Sequence, residues 1–174
     1  MKIILESPRL LFWELTLLDY DDLCEILQDE ETMYAYEHAF SDAEVQAWLD
    51  NQLRRYEEHG FGLWAMVDRN TGAFIGQMGL TLQQTDVAQE LEIGYLLKRK
   101  HWKKGYAMEG AQACRDYAFD VLGADRVVSI IRENNAASIR VAERNGMVPE
   151  HTFIKHYMGV DMPHIVFSMG PEDR

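Results

Sequence analysis

Between residues 98 and 104 the chain places five basic side chains, Lys98, Arg99, Lys100, Lys103 and Lys104, just ahead of Gly105-Tyr106-Ala107-Met108-Glu109. An apolar run, Leu91-Glu92-Ile93-Gly94-Tyr95-Leu96-Leu97, comes before them. A strand that passes through such a loop into a helix brings unpaired N–H groups and the positive end of the helix dipole to one place. The small residues Gly105 and Ala107 let a ligand come close to that backbone. Together these features suit a polyanion such as a pyrophosphate. No Lys-Ser or Lys-Thr follows the glycine, so the loop lacks the magnesium-binding hydroxyl of a P-loop nucleotide hydrolase. It also lacks the three glycines of a dinucleotide fingerprint. The expected ligand is nucleotide-like and held by its phosphates without magnesium.

Other chemistry is poorly supplied. The six histidines form no HExxH or similar pattern, so no metal site is expected. Cys24 and Cys114 lie far apart with no CxxC pair, and each falls on an apolar helical face, so both read as buried small hydrophobes rather than nucleophiles. The 174 residues carry a formal net charge of -12, which argues against nucleic acid or an anionic membrane as a partner. That charge is uneven: residues 1–97 hold 5 basic and 19 acidic residues, whereas residues 98–174 hold 12 and 10. No apolar stretch reaches the roughly 18 residues of a membrane span, and the first residues are charged too early for a signal peptide, so a cytoplasmic location is expected.

The elements that would position the loop are legible from periodicity. Residues 10–15 read as a first strand, and Asp19 to Asp22 open a helix that carries Leu23, Ile26 and Leu27 on one face. Ser41-Asp42-Ala43-Glu44 is a capping box for a helix with Val45, Trp48, Leu49, Gln52, Leu53 and Tyr56 on one face, stopped at Gly60. Strands follow at 63–67, 73–82 and 90–97, the first two joined by Asn70-Thr71-Gly72. Ala107, Ala111, Cys114, Ala118 and Val121 form the stripe of a helix packed on a sheet. Residues 126–131 read as a strand, 136–145 as a helix closed by Asn145-Gly146, and 148–169 as two strands around residues 159–163. Met66, Met78 and Trp64 are expected in the core. With no repeat, linker or low-complexity segment, residues 1–174 are expected to form a single domain. The strand, helix and strand around the basic loop make a βαβ-like unit inside an otherwise antiparallel sheet.

With these segments in order, the sequence resembles the GNAT superfamily of acyl-coenzyme A dependent N-acetyltransferases, in its RimJ/RimL-like branch (ribosomal-protein-alanine acetyltransferase-like). The resemblance rests on Ser7-Pro8-Arg9-Leu10, Gly76-Gln77-Met78-Gly79-Leu80, Leu91-Glu92-Ile93-Gly94-Tyr95, residues 102–109, and Asn135-Ala136-Ala137-Ser138-Ile139-Arg140 running on to Asn145-Gly146-Met147. The superfamily loop Gln/Arg-x-x-Gly-x-Gly/Ala is matched by Trp102-x-x-Gly105-x-Ala107, with Lys103 where the branch usually has glycine. The resemblance implies a strongly bent, mixed and mostly antiparallel sheet of about seven strands flanked by about four helices, an α/β (α+β) fold.

It further implies acetyl transfer from acetyl-CoA directly to a primary amine of a small molecule or peptide, with no metal and no acetyl-cysteine. Trp102, Lys103, Lys104, Gly105, Tyr106 and Ala107 would hold the pyrophosphate. The strand at 90–97 would pair with the pantetheine arm, and a backbone N–H near Leu96, with Leu97 beside it, would polarise the carbonyl. Glu92 is implied as general base, with Glu90 as the alternative. Asn135 and Ser138 match the positions that touch the pantetheine or the sulfur, although Asn-x-x-Ser also suits a plain helix cap. Many relatives carry a proton-donating tyrosine four residues beyond that serine, where this chain has Ala142. Ser138, a tyrosine such as Tyr157, or solvent would then serve as acid. The acceptor side would comprise residues 29–38, with Glu31, Tyr34 and Tyr36, together with residues 159–163. Acids and aromatics there favour a cationic acceptor such as a protein amino terminus or a polyamine. Lys103 and Ala142 keep a noncatalytic acyl-CoA-binding module as the alternative, and a homodimer is common among relatives.

Overall fold

The computed structural model describes residues 1–174. Its eight strands form one sheet in the spatial order β1 (Leu5–Glu6), β2 (Leu10–Glu14), β3 (Leu63–Asp68), β4 (Phe74–Gln84), β5 (Gln89–Leu97), β6 (Val127–Arg132), β8 (Val160–Met169) and β7 (Val148–Tyr157). Neighbours are antiparallel except β5 and β6, which run parallel. The four α-helices are α1 (Tyr20–Leu27), α2 (Asp42–His59), α3 (Tyr106–Asp120) and α4 (Ala136–Arg144). This is the mixed α/β fold expected, with one strand more than the seven anticipated. The extra strand, β1, has two residues and is too short for alternation to reveal.

Strand β3 shows how the layers form. All of its apolar residues are buried, and because successive side chains leave opposite faces of a strand, Trp64 and Met66 enter one core while Ala65 and Val67 enter another. The first core packs α3 through Ala111, Cys114 and Ala118. The second packs α1 and α2 through Leu23, Ile26, Val45 and Leu49. Each fully buried large aliphatic side chain contributes on the order of 2 kcal/mol. Small residues on α3 allow close approach: a Cβ on Gly110 would lie 2.5 Å from the Met78 sulfur of β4.

Helix ends follow their caps. Ser41 accepts from the Glu44 N–H while the Glu44 carboxylate accepts from the Ser41 N–H, the reciprocal capping box expected, and Gly60 ends α2 in the left-handed region. Three local expectations need correction. Val121 is exposed, because α3 ends at Asp120 and the buried position is taken by Phe119. Cys24 is only half-buried, whereas Cys114 is fully buried. Residues 160–163 are not a loop but the start of β8: the chain turns at Met158 and Gly159, both with positive φ, in a two-residue hairpin.

Candidate active site

Strands β5 and β6 meet at a single register pair, Glu92 with Val128, and then part. Side chains bridge the gap where the ladder stops. The Ile130 N–H donates to Glu92 Oε2 at 2.7 Å, and Ser129 Oγ donates to the Ile93 carbonyl at 3.4 Å. Beyond this point lies a cleft of about 570 Å³, walled by β5, β6, α4 and, on the far side, α2 and β7.

The parting leaves one edge of β5 open. The Lys98 N–H donates to Ile75 on the β4 side. Backbone groups alternate along an antiparallel ladder, so the Leu96 N–H also faces β4 and those of Tyr95 and Leu97 face the opened side. Two contacts agree: the Leu97 carbonyl accepts from Trp102 Nε1 at 3.1 Å, and the Ile93 carbonyl is the one reached by Ser129. The Leu96 N–H, expected to polarise the carbonyl, therefore points into the sheet, and the N–H groups on the open edge are those of Tyr95 and Leu97. The Leu96 side chain does line the cleft, while that of Leu97 is buried in the core.

Glu90 and Glu92 share a strand face and have different surroundings. Glu90 receives Arg126 Nε at 3.0 Å and Nη2 at 3.2 Å, so its carboxylate is fully engaged away from the cleft. Glu92 is half-buried in the cleft wall with no ion pair. Burial pushes its carboxyl up to about 7, against the opposing pull of the Ile130 N–H, Lys155 and Arg55. A carboxyl poised there can accept a proton near neutral pH. Beside it, burial and the nearby Glu92 charge push the Tyr36 phenol up to about 12, which keeps it neutral.

On the α4 side, Asn135 caps the helix, its Oδ1 accepting the Ser138 N–H at 3.2 Å, so the capping role is real. Asn135, Ser138 and Ala142 all line the cleft as well. Ser138 Oγ accepts from the Tyr95 hydroxyl at 3.2 Å. Tyr95 thus brings a phenol from β5 to within one helical turn of Ala142. It was visible in the motif at residues 91–95, yet only folding sets it against α4. Burial holds the Tyr95 phenol above its ordinary range. Tyr157 reaches the cleft from β7 and stands edge-on to Tyr36, with ring centroids 6.5 Å apart.

The loop at residues 102–107 opens α3 with Gly105 as N-cap at φ 81°, and no side chain caps the helix, so its first N–H groups stay free. A Cβ on Gly105 would come within 3.3 Å of Arg9 Nη2. Arg9 frames the loop: Nη1 donates to the Lys104 carbonyl at 3.0 Å, Nε pairs with Glu109 at 2.7 Å, and the guanidinium lies over the Tyr106 ring. Ser7 and the Arg9 backbone N–H also donate to Glu109. Despite burial, these bonds hold the Glu109 carboxyl below its ordinary range. Ala107 and Ala111, one turn apart, carry the same helix face from the loop into the cleft. Free N–H groups at the helix start and an unpaired strand edge beyond it fit a pyrophosphate followed by an extended amide-bearing arm.

The basic run is only partly available to such a ligand. Lys98 is buried and pairs with Asp22 at 2.7 Å and Glu25 at 3.0 Å. Arg99 pairs with Asp29 and Glu31, and Lys100 with Glu25. Lys103 and Lys104 remain exposed and unpaired, and Lys103 adopts φ 60°.

The expected acceptor residues separate. Tyr36 lines the cleft, but Glu31 is bound to Arg99 outside it, and Tyr34 is exposed elsewhere. The cleft instead gathers Arg55 from α2 and Lys155 from β7, which no local motif marks.

Residues 9–148 match the family model described as an acetyltransferase (GNAT) domain. The uncharacterized protein YkkB of Bacillus subtilis is 37% identical over 122 residues, spanning 70% of this chain and 71% of the relative. Among solved structures, an acetyltransferase (GNAT family) from Bacillus anthracis superposes with a TM-score of 0.83 at 21% identity, covering 97% of this chain and 98% of the other. Spermidine N-acetyltransferase from Vibrio cholerae, solved in complex with CoA and spermine, superposes with a TM-score of 0.77 at 15% identity, covering 95% and 97%.

Proposed function

This chain belongs to the GNAT acetyltransferase family and is an acetyl-CoA-dependent N-acetyltransferase, and on that premise we propose that it acetylates a primary amine by direct attack, with Glu92 as the general base. The observation that carries this reading is the carboxyl of Glu92, half-buried at the parting of β5 and β6 and held near neutrality. An amine arrives protonated at neutral pH, and Glu92 takes its proton directly or through one water to leave a nucleophilic nitrogen.

Acetyl-CoA supplies the activated acetyl thioester. Free N–H groups at residues 105–107 and the exposed Lys103 and Lys104 hold its phosphates. Tyr95 and Leu97 donate backbone N–H groups along the open edge of β5, where a preorganised donor stabilises developing negative charge. The Tyr95 hydroxyl, aligned by Ser138, delivers a proton to the departing sulfur in place of the tyrosine that Ala142 replaces. The motif set at residues 7–10, 91–95 and 135–147 supports membership of the RimJ/RimL-like branch.

The test is incubation with acetyl-CoA and a panel of primary amines, following thiol release. Transfer to at least one amine, lost on Glu92→Gln, is expected. Cofactor binding by calorimetry without transfer to any amine would refute it.

A further inference from the structure

The acceptor end of the cleft has a charge pattern opposite to that of the chain. The protein carries -12 overall, yet Glu92 is the only carboxylate lining the cleft, against three cations, Arg55, Arg132 and Lys155. Arg132 is neutralised by Glu37 at 2.7 Å. Arg55 and Lys155 form no ion pair, although the Glu92 charge acts on both, and the one side-chain bond of Arg55 is a long 3.3 Å contact to Gln52. In a molecule whose acidic residues outnumber its basic ones 29 to 17, and where most cations are paired, two unpaired cations facing one cavity call for an anion.

The cofactor does not meet that need. Alternation along β5 sends Ile93, Tyr95 and Leu97 toward α3 and α4, the side on which the phosphate loop begins. Glu92 and Leu96 point the other way, and Leu96 packs with the core that holds α1 and α2. Arg55 belongs to α2 and so stands on the Glu92 side. Burial draws the Arg55 guanidinium below its ordinary pKa, and the nearby Glu92 charge opposes this, which agrees with a cation held in the cleft rather than in open water.

Resting on the acetyltransferase reading above, we propose that the acceptor is a small primary amine bearing a carboxylate, an amino acid in chemical class, with the carboxylate held between Arg55 and Lys155 and the amine presented to Glu92. The planar guanidinium of Arg55 suits two-point recognition of a carboxylate, and Lys155 adds a point charge. Tyr36, Trp48 and Tyr157 line the same end and give the side chain an aromatic wall.

The test titrates the coenzyme A-saturated protein with matched pairs of N-acetylated products that differ only in the carboxylate, such as N-acetylphenylalanine against N-acetylphenethylamine, and N-acetylmethionine against its decarboxylated counterpart. In at least one pair the carboxylate form is expected to bind about tenfold or more tightly. Arg55→Met and Lys155→Met should each remove most of that preference while leaving coenzyme A affinity unchanged. Absence of a carboxylate preference in every pair, or a preference that survives both substitutions, overturns the proposal. Failure of coenzyme A to bind would instead refute the acyl-transfer reading, and the carboxylate preference would then be read by the same titration on the cofactor-free protein.

Discussion

Two groups of cations in this protein reverse what their sequence positions suggest. Lys98, Arg99 and Lys100 are contiguous and look like a ligand site, yet each pairs with carboxylates between Asp22 and Glu31. Arg55, which follows Arg54, and Lys155 lie one hundred residues apart in the chain, and both line the cleft without an ion-pair partner. The first group forms a seam that fixes α1 and the following turn to the end of β5. The second leaves two cations facing the single carboxylate of Glu92 where a substrate can bind. A cation's role is set by whether folding delivers a carboxylate to it. Clustering in sequence does not decide this.

On that contrast, cleft variants should lose turnover without losing stability, and seam variants should lose stability without losing coenzyme A affinity. The largest effect is expected for Glu92→Gln, about a thousandfold loss in kcat/KM, within the usual range for removing a general base. Wild-type rate should rise with pH through about 7, as the raised carboxyl ionises, and the variant should lose that acid limb. The stability sign is opposite. A carboxyl raised in the folded state costs stability as pH climbs from about 4.5 to about 7, because the unfolded chain ionises first. Glu92→Gln should therefore gain about 1–3 kcal/mol at pH 8 and little at pH 4, read from urea midpoints. Glu90→Gln, which breaks the Arg126 pair, should leave the pH profile intact.

Gly105→Glu should weaken coenzyme A binding by about a hundredfold in calorimetry, since the new side chain adds like charge at the phosphate site and an unfavourable left-handed residue. Tyr95→Phe keeps the ring and removes the hydroxyl; about a tenfold fall in kcat with unchanged coenzyme A affinity is expected, together with loss of an alkaline limb. In the seam, Lys98→Met should cost about 1–2 kcal/mol in urea unfolding, because it strands two partly exposed carboxylates, and should leave coenzyme A affinity as it was. The smallest effect is expected for Lys103→Gly. Relief of the left-handed backbone should stabilise the protein by about 0.5–1 kcal/mol.

Sequence alone fixed the order of the elements, because periods of two and of 3.6 residues are local and survive without tertiary context. The strand, loop and helix from Glu92 to Ala111, the capping box at Ser41 and the parallel step at β6 could all be read in this way. So could the loop glycine and the small residues that bring α3 onto the sheet. Local pattern could not separate Glu90 from Glu92, which share a strand face. Arg126, from beyond α3, engages the first, and the parting of β5 from β6 leaves the second in the cleft. Nor could it find Tyr95 against Ser138, Arg55 and Lys155 on one cleft, or Glu31 bound to Arg99. These are pairings between residues tens of positions apart, and electrostatic roles depend on distances through space and on burial, which only the assembled sheet and helices set.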